Sequence, residues 1–220
     1  MCGRYTLTTD LALVQQVLSF HFPADPPPPR YNIAPGQAVL AIRPEPDGSR
    51  TGTWLRWGFV PPWASAPKPV INARLETLAT KPFFRAAART GRVVLPADGY
   101  YEWAPGPGRK QPYRVVAADD TPFFLAGVAN SETPPTGPAV ATCAIVTRPA
   151  WEPLAWLHPR MPLVLTAEQA QTWLHTPFAV WRAVFAVPPE PPRLRAYPVS
   201  SRVNRPTVDD PACVMPVAAG

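Results

Sequence analysis

Residues 92–103 read RVVLPADGYYEW, and this stretch does most to decide the fold. Two runs rich in β-branched and aromatic residues, 92–96 and 100–103, lie on either side of Asp98 and Gly99, which are typical turn residues. The pattern predicts a strand and then a turn. The turn leads into a short strand that carries Glu102 among aromatic residues.

The rest of the chain continues in the same way, with short β-rich runs and few helices. Further strands are predicted at residues 38–43, 53–59, 113–116, 123–127, 139–147 and 163–165. Short helices are predicted at residues 11–20, 83–89, 166–175 and 178–184. Thr166 and Gln169 form a capping box for the third helix, and Thr176 with Pro177 offers a cap and a first-turn proline for the fourth. Strands outnumber helices and do not alternate with them strictly. We therefore expect an α+β fold with a curved, largely antiparallel, barrel-like sheet and short flanking helices.

Composition narrows the class of protein. The chain has 220 residues, of which 46% are hydrophobic, as in an ordinary globular protein, so we expect one domain over residues 1–220 with a short tail at 216–220. Three unevenly spaced cysteines predict neither a disulfide framework nor a metal site. Without a signal peptide or a long apolar run, we expect a soluble, cytoplasmic protein with no membrane contact. The net charge of +6 comes mostly from arginine, which suits phosphate recognition, but charge alone is weak evidence for nucleic acid.

Cys2 is the most informative single residue. Initiator methionine is normally removed before a residue as small as cysteine, and loss of Met1 would leave an α-amine beside a thiol. An aldehyde condenses with such an amine to an imine, and the thiol then closes a five-membered thiazolidine ring. The amine has a pKa of about 7.7–8.0 and a free thiol one of about 8.5, so both groups are expected to be partly reactive near neutral pH. The alternative is an incidental residue at a frayed terminus.

Three further segments carry polar residues that a fold alone would not require. In the segment 71–77, Asn72, Arg74 and Glu76 share one face if the backbone is extended. Glu102 lies in the segment 96–103, and His158 lies between apolar residues in the segment 157–162.

Each of these residues also has a structural explanation. Asn72 could bind a loop backbone, and Arg74 with Glu76 could form a surface ion pair. Glu102 could face solvent, and a lone histidine such as His158 is more often a satisfied core residue than a catalytic one.

Together, seven motifs in one order resemble a known family. They are CGRY (2–5), YNIAPGQ (31–37), WGFVPPWA (57–64), INARLET (71–77), PADGYYEW (96–103), HPRMP (158–162) and VSSRVNRPTVDDP (199–211). This order closely resembles the SRAP domain of abasic-site shielding proteins, also called SOS response-associated peptidases. The resemblance covers essentially the whole chain.

The resemblance implies a protein that binds single-stranded DNA at abasic sites and shields the lesion by a covalent link. Cys2 would form a thiazolidine with the open-chain sugar aldehyde after autocatalytic removal of Met1. His158 would transfer a proton at the sugar oxygen, and Glu102 would accept one from the Cys2 amine.

The remaining implied site residues orient or bind the DNA. Asn72 would orient the sugar or the Cys2 backbone. Arg4, Arg74 and Arg160 would bind phosphates, while Trp57 and Trp63 would stack on bases. Either tryptophan could instead be a core residue, Trp57 more readily than Trp63, which lies in a proline-rich turn. No metal or cofactor is implied, and we expect a monomer in the bacterial cytoplasm, associated with the nucleoid when bound to DNA.

Two other readings of the sequence remain. Cys2 could be the nucleophile of a thiol peptidase, with His158 as its base and Asn72 as an oxyanion donor. The protein could also bind single-stranded DNA without any covalent chemistry.

Overall fold

The computed structural model describes residues 2–22, 25–61, 63, 68–105, 110–130 and 141–218. The predicted removal of Met1, the start of the strand predicted at 139–147 and the last two residues of the tail lie outside these ranges. The strands within them are β1 Tyr5–Leu7, β2 Arg30–Ile33, β3 Ala38–Pro44, β4 Arg50–Trp57, β5 Asn72–Arg74, β6 Arg92–Ala97, β7 Gly99–Ala104, β8 Gln111–Ala117, β9 Phe123–Ala129, β10 Thr142–Pro149, β11 Arg160–Pro162, β12 Val164–Leu165 and β13 Leu194–Pro198. The α-helices are α1 Leu11–Val17, α2 Leu75–Leu78, α3 Arg85–Thr90, α4 Ala167–His175 and α5 Phe178–Val184.

The strands form two sheets, and the larger one curves into a ring. Its pairings run from β10 through β4, β3, β6 and β9 and back to β10. Strand β10 pairs in parallel with β4 and β5, and the other pairings among the described strands of this sheet are antiparallel. The second sheet has the order β13-β8-β7-β1-β2 and is antiparallel throughout its described strands. The predicted α+β class with a curved, largely antiparallel sheet is confirmed.

The stretch 92–103 links the two sheets. Strand β6 lies in the ring and β7 in the second sheet, with Asp98 alone between them. All six residues of β6 are buried because both faces of this strand are covered. The indole N–H of Trp173 on α4 donates to the carbonyl oxygens of Val93 and Gly127 at 3.0 and 3.3 Å, so this helix is fastened against the strand backbone.

The helices follow the predicted signals closely where capping chemistry is present. The Thr166 hydroxyl accepts from the Gln169 backbone N–H at 3.3 Å, and the Gln169 side chain accepts from the Thr166 N–H at 3.0 Å, which confirms the predicted capping box of α4. Helix α5 has its predicted bounds, although Pro177 rather than Thr176 occupies the cap position. Helix α1 ends three residues early because Leu18 takes an extended conformation.

The N-terminal segment is held inside the molecule between two strands. Tyr5 of β1 pairs with Tyr100 of β7 on one side and with Ile33 of β2 on the other. Strand β1 therefore fixes the backbone that follows Cys2, and the prediction of a frayed terminus at this position is wrong. Among the described residues no helix is both long and apolar enough to cross a membrane.

Candidate active site

Cys2 is fully buried immediately before β1. The Asn72 side-chain amide donates to the Cys2 carbonyl oxygen at 2.9 Å. Strand β5 brings Asn72 there because it pairs in parallel with β10, in a register that sets Asn72 opposite Ile145. The structure thus brings together two predicted site residues that are 70 positions apart in the sequence.

Burial changes the expected reactivity of the Cys2 thiol. Desolvation raises the pKa of this thiol far above its ordinary value, and the negative charge of Glu102 raises it further. Burial therefore opposes ionisation of the thiol near neutral pH, in contrast to the expectation for a free cysteine. All three cysteines are free and buried, and burial also raises the pKa of Cys143, to about 12.

A narrow cleft is lined by Glu102, His158 and Arg160 together with apolar and aromatic residues, which are Tyr100, Leu154, Leu157 and Met161. Glu102 lies on β7 with only 5% of its surface exposed, so it does not face solvent as the structural explanation proposed. One of its carboxylate oxygens accepts from the Trp103 backbone N–H at 3.2 Å. The charge of Glu102 also acts on the Cys2 thiol, so this carboxylate lies near the cysteine as well as in the wall of the cleft.

The backbone of Arg160 fixes the imidazole of His158. The Arg160 backbone N–H donates to His158 Nδ1 at 3.0 Å. The Arg160 carbonyl oxygen also lies 3.0 Å from Nδ1. The N–H is a partner for an unprotonated Nδ1 and the carbonyl for a protonated one, so the backbone of Arg160 holds this edge of the ring in either tautomer.

The predicted common face of Asn72, Arg74 and Glu76 is only partly present. Strand β5 ends at Arg74, and Glu76 belongs to helix α2. Glu76 forms its ion pair with Arg160, with N–O distances of 2.7 and 3.0 Å, so the pairing with Arg74 suggested by the sequence is wrong. Arg74 is exposed beside the buried Ala73.

Arg4 is engaged with the protein itself. Its guanidinium donates to the Asn32 side chain at 3.0 Å, to the Val203 carbonyl and to the Asn204 carbonyl at 3.3 Å. These contacts join the CGRY motif to the C-terminal motif of residues 199–211. They give Arg4 a structural role that the sequence did not indicate, and they leave less of its guanidinium for a phosphate.

The two tryptophans that were candidates for base stacking differ in solvent exposure. Trp57 is fully buried, its indole N–H donates to the Ile71 carbonyl at 2.9 Å, and its ring packs edge-on against Tyr5. The prediction that Trp57 stacks on a base is wrong because no base can reach the ring. Trp63 is 67% exposed and contacts Phe83 with its ring edge, so it keeps a face for a ligand.

The sequence analysis missed a network of hydrogen bonds and one ion pair around Asp98. The only signal in the sequence was the position of Asp98 in a predicted turn. The carboxylate accepts from the side chains of Thr6, Thr8 and Thr9 and pairs with Arg114 at 2.9 Å. The network fastens the end of β1 to the start of β7, and these are the strands that carry Cys2 and Glu102 towards each other.

Comparisons with known proteins place the whole chain among its relatives. The model of the SOS response associated peptidase (SRAP) family matches residues 1–206. The abasic site processing protein YoqW of Bacillus subtilis is 36% identical over 97% of this chain and 99% of its own length. The abasic site processing protein YedK of Escherichia coli is 37% identical over 79% of each chain. A solved structure of a Bordetella bronchiseptica protein superposes with a TM-score of 0.77 at 27% identity, covering 90% of this chain and all of the other.

Proposed function

This chain belongs to the SOS response associated peptidase (SRAP) family, and from that premise we propose that it processes abasic sites in DNA by bonding covalently to the lesion through Cys2. The observation that carries the proposal is the Asn72 hydrogen bond to the Cys2 carbonyl beside a cleft lined by Glu102 and His158. The naming of the relatives as abasic site processing proteins supports it. In the same proposal, residues 1–220 act as one monomeric domain in the bacterial cytoplasm.

The chemistry begins with the α-amine that removal of Met1 exposes on Cys2. The amine adds to the C1 aldehyde of the ring-opened sugar, and loss of one water gives an imine. His158 transfers a proton at the sugar oxygen as the ring opens, and Glu102 takes a proton from the amine. The thiol sulfur then adds to the imine carbon, its proton passes to nitrogen, and a thiazolidine results with no change of oxidation state.

The high pKa of the buried thiol gives this sequence its order. A protonated thiol is a poor nucleophile, so the amine reacts first. Ring closure needs a base for the thiol proton, and the Glu102 carboxylate, whose charge acts on this thiol, fits that role.

The same property disfavours the peptidase alternative. A cysteine peptidase acting on other proteins needs a thiolate or a base that generates one. At Cys2, burial and the adjacent Glu102 charge both disfavour a preformed thiolate. A peptidase would need the thiol as its first nucleophile, whereas the proposed sequence needs it only after the amine has formed the imine. The third alternative, a binding module without covalent chemistry, gives no reason for a protonated thiol beside a buried carboxylate.

A denaturing gel tests the proposal. The purified protein, shown by intact mass to lack Met1, is mixed with a single-stranded oligonucleotide carrying one abasic site or with the same strand intact. We expect a slow-migrating band with the abasic strand alone. A processed protein that shifts neither strand would refute covalent capture, and turnover of a peptide without DNA would support the peptidase instead.

Replacing Asn72 by Ala should slow adduct formation while leaving the fold intact. The change removes the hydrogen bond that fixes the Cys2 carbonyl, a contribution of about 0.5–1.5 kcal/mol, which corresponds to up to about a tenfold slower rate. Single-turnover kinetics on the abasic strand measure the effect. Gln16 is exposed on α1, so Gln16→Ala serves as a control for a lost side-chain amide and should react at the wild-type rate.

Replacing Trp63 by Ala should weaken binding of an intact single strand. Stacking of one base contributes about 1–3 kcal/mol, so we expect affinity to fall roughly 5- to 150-fold. Fluorescence anisotropy at fixed salt measures it. Trp54 is 43% exposed on β4, and Trp54→Ala should leave affinity unchanged. Equal losses in both variants would remove Trp63 from the interface.

A further inference from the structure

We infer that Glu76 is a positioning residue for His158 and acts through Arg160. Glu76 stands in the INARLET motif but has no part in the chemistry proposed above. The inference rests on the proposed function, because the orientation of His158 matters to the reaction only if this ring transfers protons at the sugar.

The first step is the geometry of the ion pair. Arg160 Nη1 lies 2.7 Å from Glu76 Oε1, and Arg160 Nη2 lies 3.0 Å from Glu76 Oε2. Two parallel hydrogen bonds fix the direction of a guanidinium as well as its distance. The Arg160 side chain is only 16% exposed, so its end of this pair is largely shielded from solvent, whereas that of Glu76 is 43% exposed.

The second step is that the same guanidinium is anchored to the sheet. Arg160 Nη2 also donates to the Thr147 carbonyl at 2.8 Å and lies 3.2 Å from the Thr147 hydroxyl. Thr147 is on β10, and Arg160 begins β11, which pairs with β10. The side chain of Arg160 therefore ties α2, β10 and β11 together at the point where the chain leaves His158.

The third step is the contact with the imidazole. His158 Nδ1 lies 3.0 Å from both the backbone nitrogen and the carbonyl oxygen of Arg160. The N–H can bind only an unprotonated Nδ1, and the carbonyl can bind only a protonated one. The backbone of Arg160 thus holds the Nδ1 edge of the ring in either tautomer. A shift of that backbone would change the balance between the two tautomers.

The ion pair also limits what Arg160 can do for DNA. Both guanidinium nitrogens that face outward as a fork are occupied by the Glu76 carboxylate. A phosphate would have to compete with this carboxylate, which its hydrogen bond to Arg160 keeps ionised by lowering the pKa of Glu76. The position of Arg160 therefore favours support of His158 over a free phosphate ligand.

The substitution Glu76→Gln tests the inference, because it keeps the shape of the side chain and removes the charge. The first readout needs no DNA. The ¹⁵N chemical shifts of the His158 ring at high pH report which nitrogen carries the proton, and the peaks are assigned with His158→Gln. We expect the ratio of the two tautomers in the variant to differ from that in the wild type.

The second readout is the rate of adduct formation. We expect the rate of adduct formation to fall about 10- to 100-fold in Glu76→Gln, because a displacement of about 1 Å in a reacting group has an effect of this size. The affinity for an intact strand should stay the same. Arg160→Lys keeps the positive charge but loses the fork, and it should show the same tautomer change. Glu45→Gln removes the carboxylate of another arginine pair, that with Arg43, and should alter neither readout.

Unchanged His158 ring shifts in both Glu76→Gln and Arg160→Lys would overturn the inference. Tighter DNA binding by Glu76→Gln with the wild-type tautomer ratio would overturn it as well and would make Arg160 a phosphate ligand that Glu76 masks. If the wild-type protein forms no adduct, the proposed function fails, and the ring shifts still show separately whether Glu76 orients His158.

Discussion

The substitution Cys2→Ala is expected to abolish the covalent adduct with an abasic strand, at least a thousandfold below the wild-type level on a denaturing gel. Alanine keeps the α-amine but cannot close the sulfur-containing ring, and an imine alone reverts in water. The fold should tolerate the change, since alanine is smaller than cysteine and the segment is held by the β1 pairings of Tyr5.

Two matched controls come from the chain itself. Cys143 and Cys213 are equally buried and free, and Cys143→Ala and Cys213→Ala should form the adduct as the wild type does. A stable adduct in Cys2→Ala would contradict the thiazolidine, whereas its loss in all three variants would point to a general effect on folding.

Chemical trapping separates the amine from the thiol. Cyanoborohydride reduces an imine to a secondary amine, so a processed Cys2→Ala protein should give an adduct only when this reductant is present. Intact mass must confirm that Met1 has been removed from the variant, because an acylated nitrogen cannot form the imine. The trapped adduct would show that the amine forms the imine without help from the thiol, as the proposed order requires.

The sequence predicted the parts of the fold that depend on local chemistry. The capping box of Thr166 and Gln169 fixes the start of α4, and the β-rich runs became strands within a few residues of their predicted bounds. Strands β1, β2, β5, β11 and β13 were not predicted. They have three to five residues each, and they exist because long-range partners such as β7 and β10 complete their hydrogen bonds.

For the candidate active site, the sequence could name candidate residues but could not predict how they are arranged in space. Motif order led to Asn72, Glu102 and His158, yet no spacing in the sequence shows that Asn72 binds the Cys2 carbonyl or that Glu76 binds Arg160. Trp57 was misjudged for the same reason. An aromatic residue in a proline-rich motif looks alike whether it is fully buried or exposed, and only the register of β4 decides which.

The second large effect is expected at Asp98, on stability. Its side chain is 7% exposed and pairs with Arg114, which is 12% exposed, at 2.9 Å. Asp98→Ala would leave that guanidinium buried without its counter-charge, a change that costs about 3–5 kcal/mol. Urea unfolding should show the loss, and the melting temperature should fall by roughly 6–20 °C. The rate of adduct formation should fall too, because β1, which follows Cys2, loses its hydrogen bonds to Asp98.

Two variants identify the buried charge as the cause. Asp119 is an exposed carboxylate in a turn with Thr121, and Asp119→Ala should leave the unfolding midpoint nearly unchanged. Removing both partners of a buried pair costs less than removing one, so Asp98→Ala combined with Arg114→Met should recover part of the loss. A double variant as unstable as the sum of the single changes would show that the two side chains are not coupled.

The same carboxylate predicts how stability depends on pH. Burial alone would raise the pKa of Asp98, but the hydrogen bonds from Thr6 and Thr8 and the charge of Arg114 outweigh it, so the pKa in the folded protein lies below its ordinary value. A group with a depressed pKa stabilises the fold fully above its unfolded pKa, about 3.9, and loses that contribution as the pH falls through the folded value. The difference in unfolding free energy between the wild type and Asp98→Asn should therefore be constant from about pH 7 to pH 5 and shrink below about pH 4. A difference that persists unchanged in acid would mean that the ionised carboxylate is not what stabilises the junction of β1 and β7.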